Sequence, residues 1–252
     1  MAEGRSPLVD YEASAAAYRR GRELGDEQSA RWREVVRAHL PEAPRGRVVD
    51  AGAGTGAFLP MWRALTPGPL VAVEPSPAMR AQAAGRDAAD AVVAGTLGAL
   101  PLAPAVVDVV WVSAVLHHVP DRAAALAEVA RALRPGGRLL VRGLFPDRGR
   151  VPWLEAFPGA ERALARFPTV AAVAAALPDA GLRRRAVVDV DEPPRPLPAE
   201  AAAWVEAMRR SDSLLTALTD DEVDAGSAAL RALPPVPLDP VRLTLVVAER
   251  AR

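Results

Sequence analysis

The chain has 252 residues, is 50% hydrophobic and 25% charged, and balances 31 Lys+Arg against 31 Asp+Glu. A net charge of zero argues against a broad phosphate-binding surface, so nucleic acid is not an expected partner. With no cysteine, the chain excludes disulfides, thiolate metal sites and cysteine nucleophiles. The start, MAEGRSPLVD, lacks a basic-then-apolar signal pattern, and the most apolar region, 92–116, is interrupted by Pro101, Pro104 and Asp108. Neither feature suits a membrane span, and a cytoplasmic protein is expected. The Ala/Arg/Pro-rich composition points to a high-GC genome.

Taken in order, residues 11–40 read as helical, with Trp32, Val35, Val36 and Leu40 at helical spacing. PEAPRG breaks this segment, and RVVDA is a short buried strand that runs into the turn GAGTG. TGAFLPMWRAL is a helix, LVAVE a second strand, and SPAMRAQAAGR a helix with Ser76 as N-cap and Pro77 in its first position. AVVAG and VVDVVWVSAVL are the third and fourth strands. RAAALAEVARAL is a helix stopped by RPGG, and RLLVRGLF is the fifth strand. Strands alternating with helices predict an α/β fold with a parallel sheet covered on both faces.

After Phe145 the rhythm changes. Residues 146–166 read as irregular, TVAAVAAALPDAGL as a helix and RRRAVVDVDE as a strand. AEAAAWVEAMRRSDSLLTAL and DDEVDAGSAALRAL are expected helices, and VRLTLVVAER is the last strand. Two helices inserted between the last two strands would sit over one end of the sheet.

Gly52, Gly54 and Gly56 follow the first strand directly. In an open α/β sheet, ligands sit at the carboxyl ends of the strands, and a glycine turn brings backbone there with no side chain in the way. The spacing Gly52, Gly54, Ala57 satisfies G-x-G-x-x-G/A, and Glu74, at the end of the second strand, fits a ribose-diol acceptor. Nicotinamide dinucleotides and S-adenosylmethionine both meet that description.

The wider context resembles class I S-adenosylmethionine-dependent methyltransferases, in their small-molecule, UbiE-like branch. Asp50 precedes the glycines as D-x-G-x-G-x-G, followed in that family's order by VAVEPSPAM, the 93–121 segment ending HHVPD, and LRPGGRLLV. The resemblance implies a Rossmann-like, doubly wound, seven-stranded and mostly parallel sheet with an antiparallel last strand and a small helical lid. It divides a single methyltransferase domain into an N-terminal helical cap (1–42), a cofactor-binding core (43–145), substrate-side helices and lid with the sixth strand (146–240), and a final strand (241–252).

The resemblance also assigns roles. Gly52, Ala53 and Gly54, with Ala51 before them, line the methionine part of the cofactor, and Asp50 anchors it. Glu74 accepts the ribose hydroxyls, Pro75 and Met79 pack near the adenine, and Thr96 and Leu97 meet its edge. Ser113 faces the methionine amine. Many relatives carry an acid where this chain has Thr96, which still offers a hydroxyl acceptor. Tyr18 and Arg22, four apart on one helix face, are placed over the cofactor, with Arg22 toward its carboxylate.

His117 and His118 follow the fourth strand, at the mouth of the expected site. Imidazole titrates near neutrality, so His117 is a candidate base for a hydroxyl or amine acceptor. Two adjacent histidines make no metal site without further ligands, and none is expected. His118, Trp153 and Phe157, together with Phe167 and Trp204, are candidates to line an apolar substrate pocket; packing of a small lid is the alternative. Asp108 reads as structural.

The expected reaction is methyl transfer to a small molecule, at oxygen or nitrogen, in bacterial small-molecule metabolism, leaving S-adenosylhomocysteine. Three alternatives stay open: a non-methylating enzyme on the same cofactor, an NAD(P)-dependent oxidoreductase, and a non-catalytic binding module. The chain contains no lysine, which weakens a Tyr-x-x-x-Lys proton relay and with it the oxidoreductase.

Overall fold

Each buried strand carries apolar residues on both faces. In β4 (Val107–Ser113), Val110 and Val112 pack into one core while Val109 and Trp111 pack into the other. That two-faced pattern demands helices above and below the sheet. The structure is a computed structural model; it describes residues 19, 21, 23–41, 46–193 and 195–252.

The other strands are β1 (Val48–Ala51), β2 (Leu70–Val73), β3 (Ala91–Val93), β5 (Leu133–Gly143), β6 (Leu182–Glu192) and β7 (Val241–Arg250). They form a seven-stranded sheet in the order β3-β2-β1-β4-β5-β7-β6. β1 to β5 are mutually parallel, whereas β7 runs antiparallel between β5 and β6. The strand order therefore reverses between β1 and β4, where doubly wound sheets open a ligand crevice.

The helices are α1 (Asp26–Arg37), α2 (Leu59–Leu65), α3 (Pro77–Ala84), α4 (Arg122–Ala132), α5 (Ala160–Leu164), α6 (Val170–Ala176), α7 (Pro198–Met208) and α8 (Asp220–Ala232). Trp32 and Val36 of α1, Met61 and Trp62 of α2 and Ala83 of α3 cover one face. Leu126 and Val129 of α4 and Val170 and Val173 of α6 cover the other. Caps fix where several helices begin: Ser76 accepts from the Met79 N–H, Asp121 from Ala124, and Thr219 from Glu222 in a capping box. Asp108 is structural as expected. It is buried at a register shift in β4, accepts the Arg47 N–H at 2.9 Å and ion-pairs with Arg134.

A third apolar cluster forms the lid: Trp153, Leu154 and Phe157 pack with Ala201, Val205 and Met208 of α7 and Val223 and Leu230 of α8. Burying such side chains stabilises by about 1.5–3 kcal/mol each. Two expectations change here. Residues 146–166 are not irregular: they contain a 3-10 turn at Pro152–Ala156 and α5, ordered by this packing. The long helix expected over 199–218 ends at Met208, because the polar run Ser211-Asp212-Ser213 diverts the backbone. Asp212 Oδ1 accepts the N–H groups of Leu214 and Leu215 at 2.9 and 3.2 Å.

Of the N-terminal helical segment, α1 is described and Arg19 and Gly21 are helical; Tyr18 and Arg22 lie outside the described residues. Among the described residues, no helix is long and apolar enough to cross a membrane.

Candidate active site

A cavity of about 580 Å³ opens at the β1–β4 switch point, between the carboxyl ends of the strands and the lid. Asp50, Gly52, Ala53, Gly54 and Phe58 form one side, and Ser113, Ala114 and His117 continue it after β4. The lid side is apolar and aromatic, with Leu144, Trp153, Phe167, Trp204, Leu214 and Leu243.

The glycines are required by the turn. Gly52 has φ 77°, and a Cβ there would meet Val115 at 2.5 Å. Gly54 has φ 55°, and its missing Cβ faces open space, so its backbone is the wall. Ala114 also takes a left-handed φ of 56° at the cavity edge, a conformation that costs a β-carbon-bearing residue about 1–2 kcal/mol. Strain of this kind concentrates at functional sites.

Asp50 lines the cavity although it is only 2% exposed. Among the described residues, no hydrogen-bond donor reaches its carboxyl. Burial, and secondarily the nearby Glu74 carboxylate, push it up to about 8. A cationic ligand would relieve that penalty. With a backbone wall at Gly54 and beside it a buried acid whose charged form burial disfavours, the residues present fit the cationic methionine end of S-adenosylmethionine.

Several assigned residues lie off the cavity wall. Glu74 is turned onto the loop: Oε2 accepts the Gly54 N–H at 2.8 Å and Oε1 the Ser76 N–H at 2.9 Å. Met79 and Leu97 are buried in the protein interior, while Pro75 and Thr96 are exposed. None of these five, nor Ala51, forms part of the cavity wall. Phe157 also lies off the cavity wall. Its ring packs so tightly on α8 that a Cβ at Gly226 would lie 2.2 Å from it, and it belongs to the lid cluster, the packing alternative left open above. Trp153 does line the cavity, edge-on to Phe157 at 5.7 Å.

His117 Nε2 lies 2.9 Å from Ser213 Oγ, and its ring stacks on Phe167 at 4.3 Å. His118 stands behind it, off the cavity wall, with Nε2 3.3 Å from the same hydroxyl. Burial and, secondarily, Arg166 hold His118 down to about 4, against an opposing pull from Asp212.

Sequence reading missed the floor of the cavity. Arg142, near the end of β5, ion-pairs with Glu192 at the end of β6 and donates from Nη1 to Ser113 Oγ at 3.1 Å. Gln28 and Trp32 of α1 donate to the same Glu192 carboxylate. The guanidinium lies 4.7 Å from the Trp32 ring centroid and 4.9 Å from that of Phe58. The available signal was a charge within each of two strand patterns, RLLVRG and VVDVDE. Among the described residues, no group of three or more His, Cys, Asp or Glu is placed to hold a metal ion.

Comparison with known proteins agrees with this fold. The family described as "Methyltransferase domain" (Methyltransf_11) matches residues 49–141. The chain is 36% identical to the demethylmenaquinone methyltransferase of Mycolicibacterium vanbaalenii, over 72% of this chain and 75% of that one. It is 35% identical to the malonyl-[acyl-carrier protein] O-methyltransferase of Enterobacter lignolyticus, over 56% of this chain and 57% of that one. The chain thus spans between about half and three quarters of the length of these relatives. Among solved structures, geranyl diphosphate C-methyltransferase from Streptomyces coelicolor superposes with a TM-score of 0.58, at 20% identity, over 98% of this chain and 88% of that one. The [4+2]-cyclase SpnF superposes with a TM-score of 0.61, at 18% identity, over 92% and 85%. One fold thus carries more than one reaction. Motif order, glycine turn and relatives together establish that the chain belongs to the class I S-adenosylmethionine-dependent methyltransferases.

Proposed function

We propose that this protein methylates a small-molecule acceptor at oxygen or nitrogen, in the small-molecule metabolism of a bacterial cytoplasm. The observation that carries the reading is the cavity itself. One side is the Gly52–Gly54 turn with Asp50, continued by Ser113 and His117, and the other is the aromatic lid. When bound, S-adenosylmethionine supplies a methyl group made electrophilic by its sulfonium. The protein's share is then to align the acceptor, exclude water and remove a proton.

In this reading Asp50, Ala53, Gly54 and Ser113 hold the methionine end, and the lid aromatics seat the acceptor. His117 is the base. Glu74 receives the ribose, with Pro75, Met79, Thr96 and Leu97 around the adenine, on the strength of the family motif alone.

Calorimetric titration with S-adenosylhomocysteine, with NAD and NADP as controls, tests the cofactor. Dissociation constants on the order of micromolar for S-adenosylhomocysteine alone are expected. A product heavier by one methyl group then tests the reaction. Preferential binding of a nicotinamide cofactor, or a product isomeric with the acceptor, would overturn it.

A further inference from the structure

The segment between α7 and α8 delivers one hydroxyl to two imidazoles. Asp212, 1% exposed, shapes this bend by accepting two successive backbone N–H groups. Ser213 Oγ is thereby set 2.9 Å from His117 Nε2 and 3.3 Å from His118 Nε2. A seryl hydroxyl has one proton to donate and two lone pairs to accept with. Between two neutral imidazoles it donates to one nitrogen and accepts N–H from the other.

The two histidines differ in what they can do. His118 is off the cavity wall and is kept neutral by burial; Arg166 and Asp212 act on it with opposite signs. His117 and Ser213 both line the cavity. The arrangement that makes use of this is His118 N–H to Ser213 oxygen, and Ser213 O–H to His117 Nε2. It leaves one lone pair of the serine oxygen for a donor in the cavity.

We propose that Ser213, carried on the lid, relays the proton of a phenolic or enolic acceptor to His117, and that such a hydroxyl is the acceptor class of this site. The inference rests on the methyl-transfer reading above and specifies its acceptor. The acceptor O–H proton passes to the Ser213 oxygen as the serine proton passes to His117 Nε2. The acceptor oxygen's freed electron pair forms the bond to the methyl carbon while the carbon–sulfur pair stays on sulfur. The imidazolium later returns its proton to water. A phenol or enol is acidic enough for an imidazole to deprotonate, whereas an aliphatic alcohol is not. Trp153, Phe167 and Trp204 offer flat apolar surfaces for the conjugated body of such a molecule.

The probe is 4-nitrophenol, whose ionised form absorbs in the visible, titrated against pH on the full chain with and without saturating S-adenosylhomocysteine. Bound nitrophenol should ionise about one pH unit or more below the free phenol. Ser213→Ala should abolish most of that shift, and Ser213→Thr should keep it. His117→Gln should abolish it as well, which keeps the test decisive if Ser213→Ala destabilises the lid. Circular dichroism reports folding independently. Nitrophenol that binds un-ionised, fails to bind, or shifts equally in Ser213→Ala would overturn the relay. Loss of S-adenosylhomocysteine binding with the phenol shift intact would instead overturn the cofactor reading.

Discussion

Glu74 Oε2 accepts the backbone N–H of Gly54 at 2.8 Å, joining the end of β2 to the turn that leaves β1. Its other oxygen accepts the Ser76 N–H, so one buried carboxylate fixes both the glycine turn and the entry to α3. Hydrogen bonds to a charged group are worth about 1.5–3 kcal/mol each. Glu74→Ala is therefore expected to weaken S-adenosylhomocysteine binding by about tenfold to a hundredfold, with a lowered melting temperature. Glu74→Gln, which keeps one acceptor oxygen, should lose less. Calorimetry on both variants decides; wild-type affinity in the alanine variant would show that the turn holds without it.

Asp50 makes cofactor binding pH-dependent. Its carboxyl, raised to about 8 from the usual 3.8, holds a proton through neutrality in the free protein. A cation in the cavity favours the ionised form, so binding releases a proton and tightens as pH rises toward 8. Folding has the opposite dependence. Between 3.8 and about 8 the native state binds more protons than the unfolded one, so this group's contribution to stability falls as pH rises through that window. Asp50→Asn should flatten both profiles, read by calorimetry in buffers of different ionisation enthalpy and by melting temperature against pH.

Much of this was readable before the fold. The strand–helix alternation, the Ser76 cap and the two-faced apolar strands follow from local chemistry, and the glycine turn follows from its φ requirements. What was not readable depends on chain segments meeting in space. Arg142 and Glu192 are 50 residues apart, and His117 and Ser213 are 96 apart. Neither half of either pair announces the other. Phe157 stood between two readings because an aromatic near a pocket and an aromatic in a lid core have the same sequence signature; its contact with Gly226 sets it in the lid cluster.

His118 should make the lid acid-sensitive. Its folded-state value near 4 lies below the usual 6.5, so in that interval the unfolded chain binds more protons than the native one. Stability contributed by neutral His118 is present above pH 6.5 and is lost as pH falls toward 4. Protection of the amides in 209–218, corrected for the intrinsic pH dependence of exchange, should fall over that range, and His118→Gln should suppress the fall. Unchanged protection from pH 7 to 4 in the native protein would refute it.

The Arg142–Glu192 pair should behave as one unit. The two side chains are 9% and 10% exposed, and the Glu192 carboxylate also accepts from Trp32 and Gln28. Removing one partner of a buried pair strands the other charge, at about 3–5 kcal/mol, while removing both does not. Arg142→Met and Glu192→Gln are each expected to lose stability on that scale in urea denaturation. The double variant should lose clearly less than their sum, because no unpaired charge is left in the cavity floor. Trp32 and Gln28 still find an amide oxygen in Glu192→Gln, so the cycle isolates the ion pair from those hydrogen bonds. Additive losses would mean that the two charges are held independently, by Ser113 and by α1, rather than by each other.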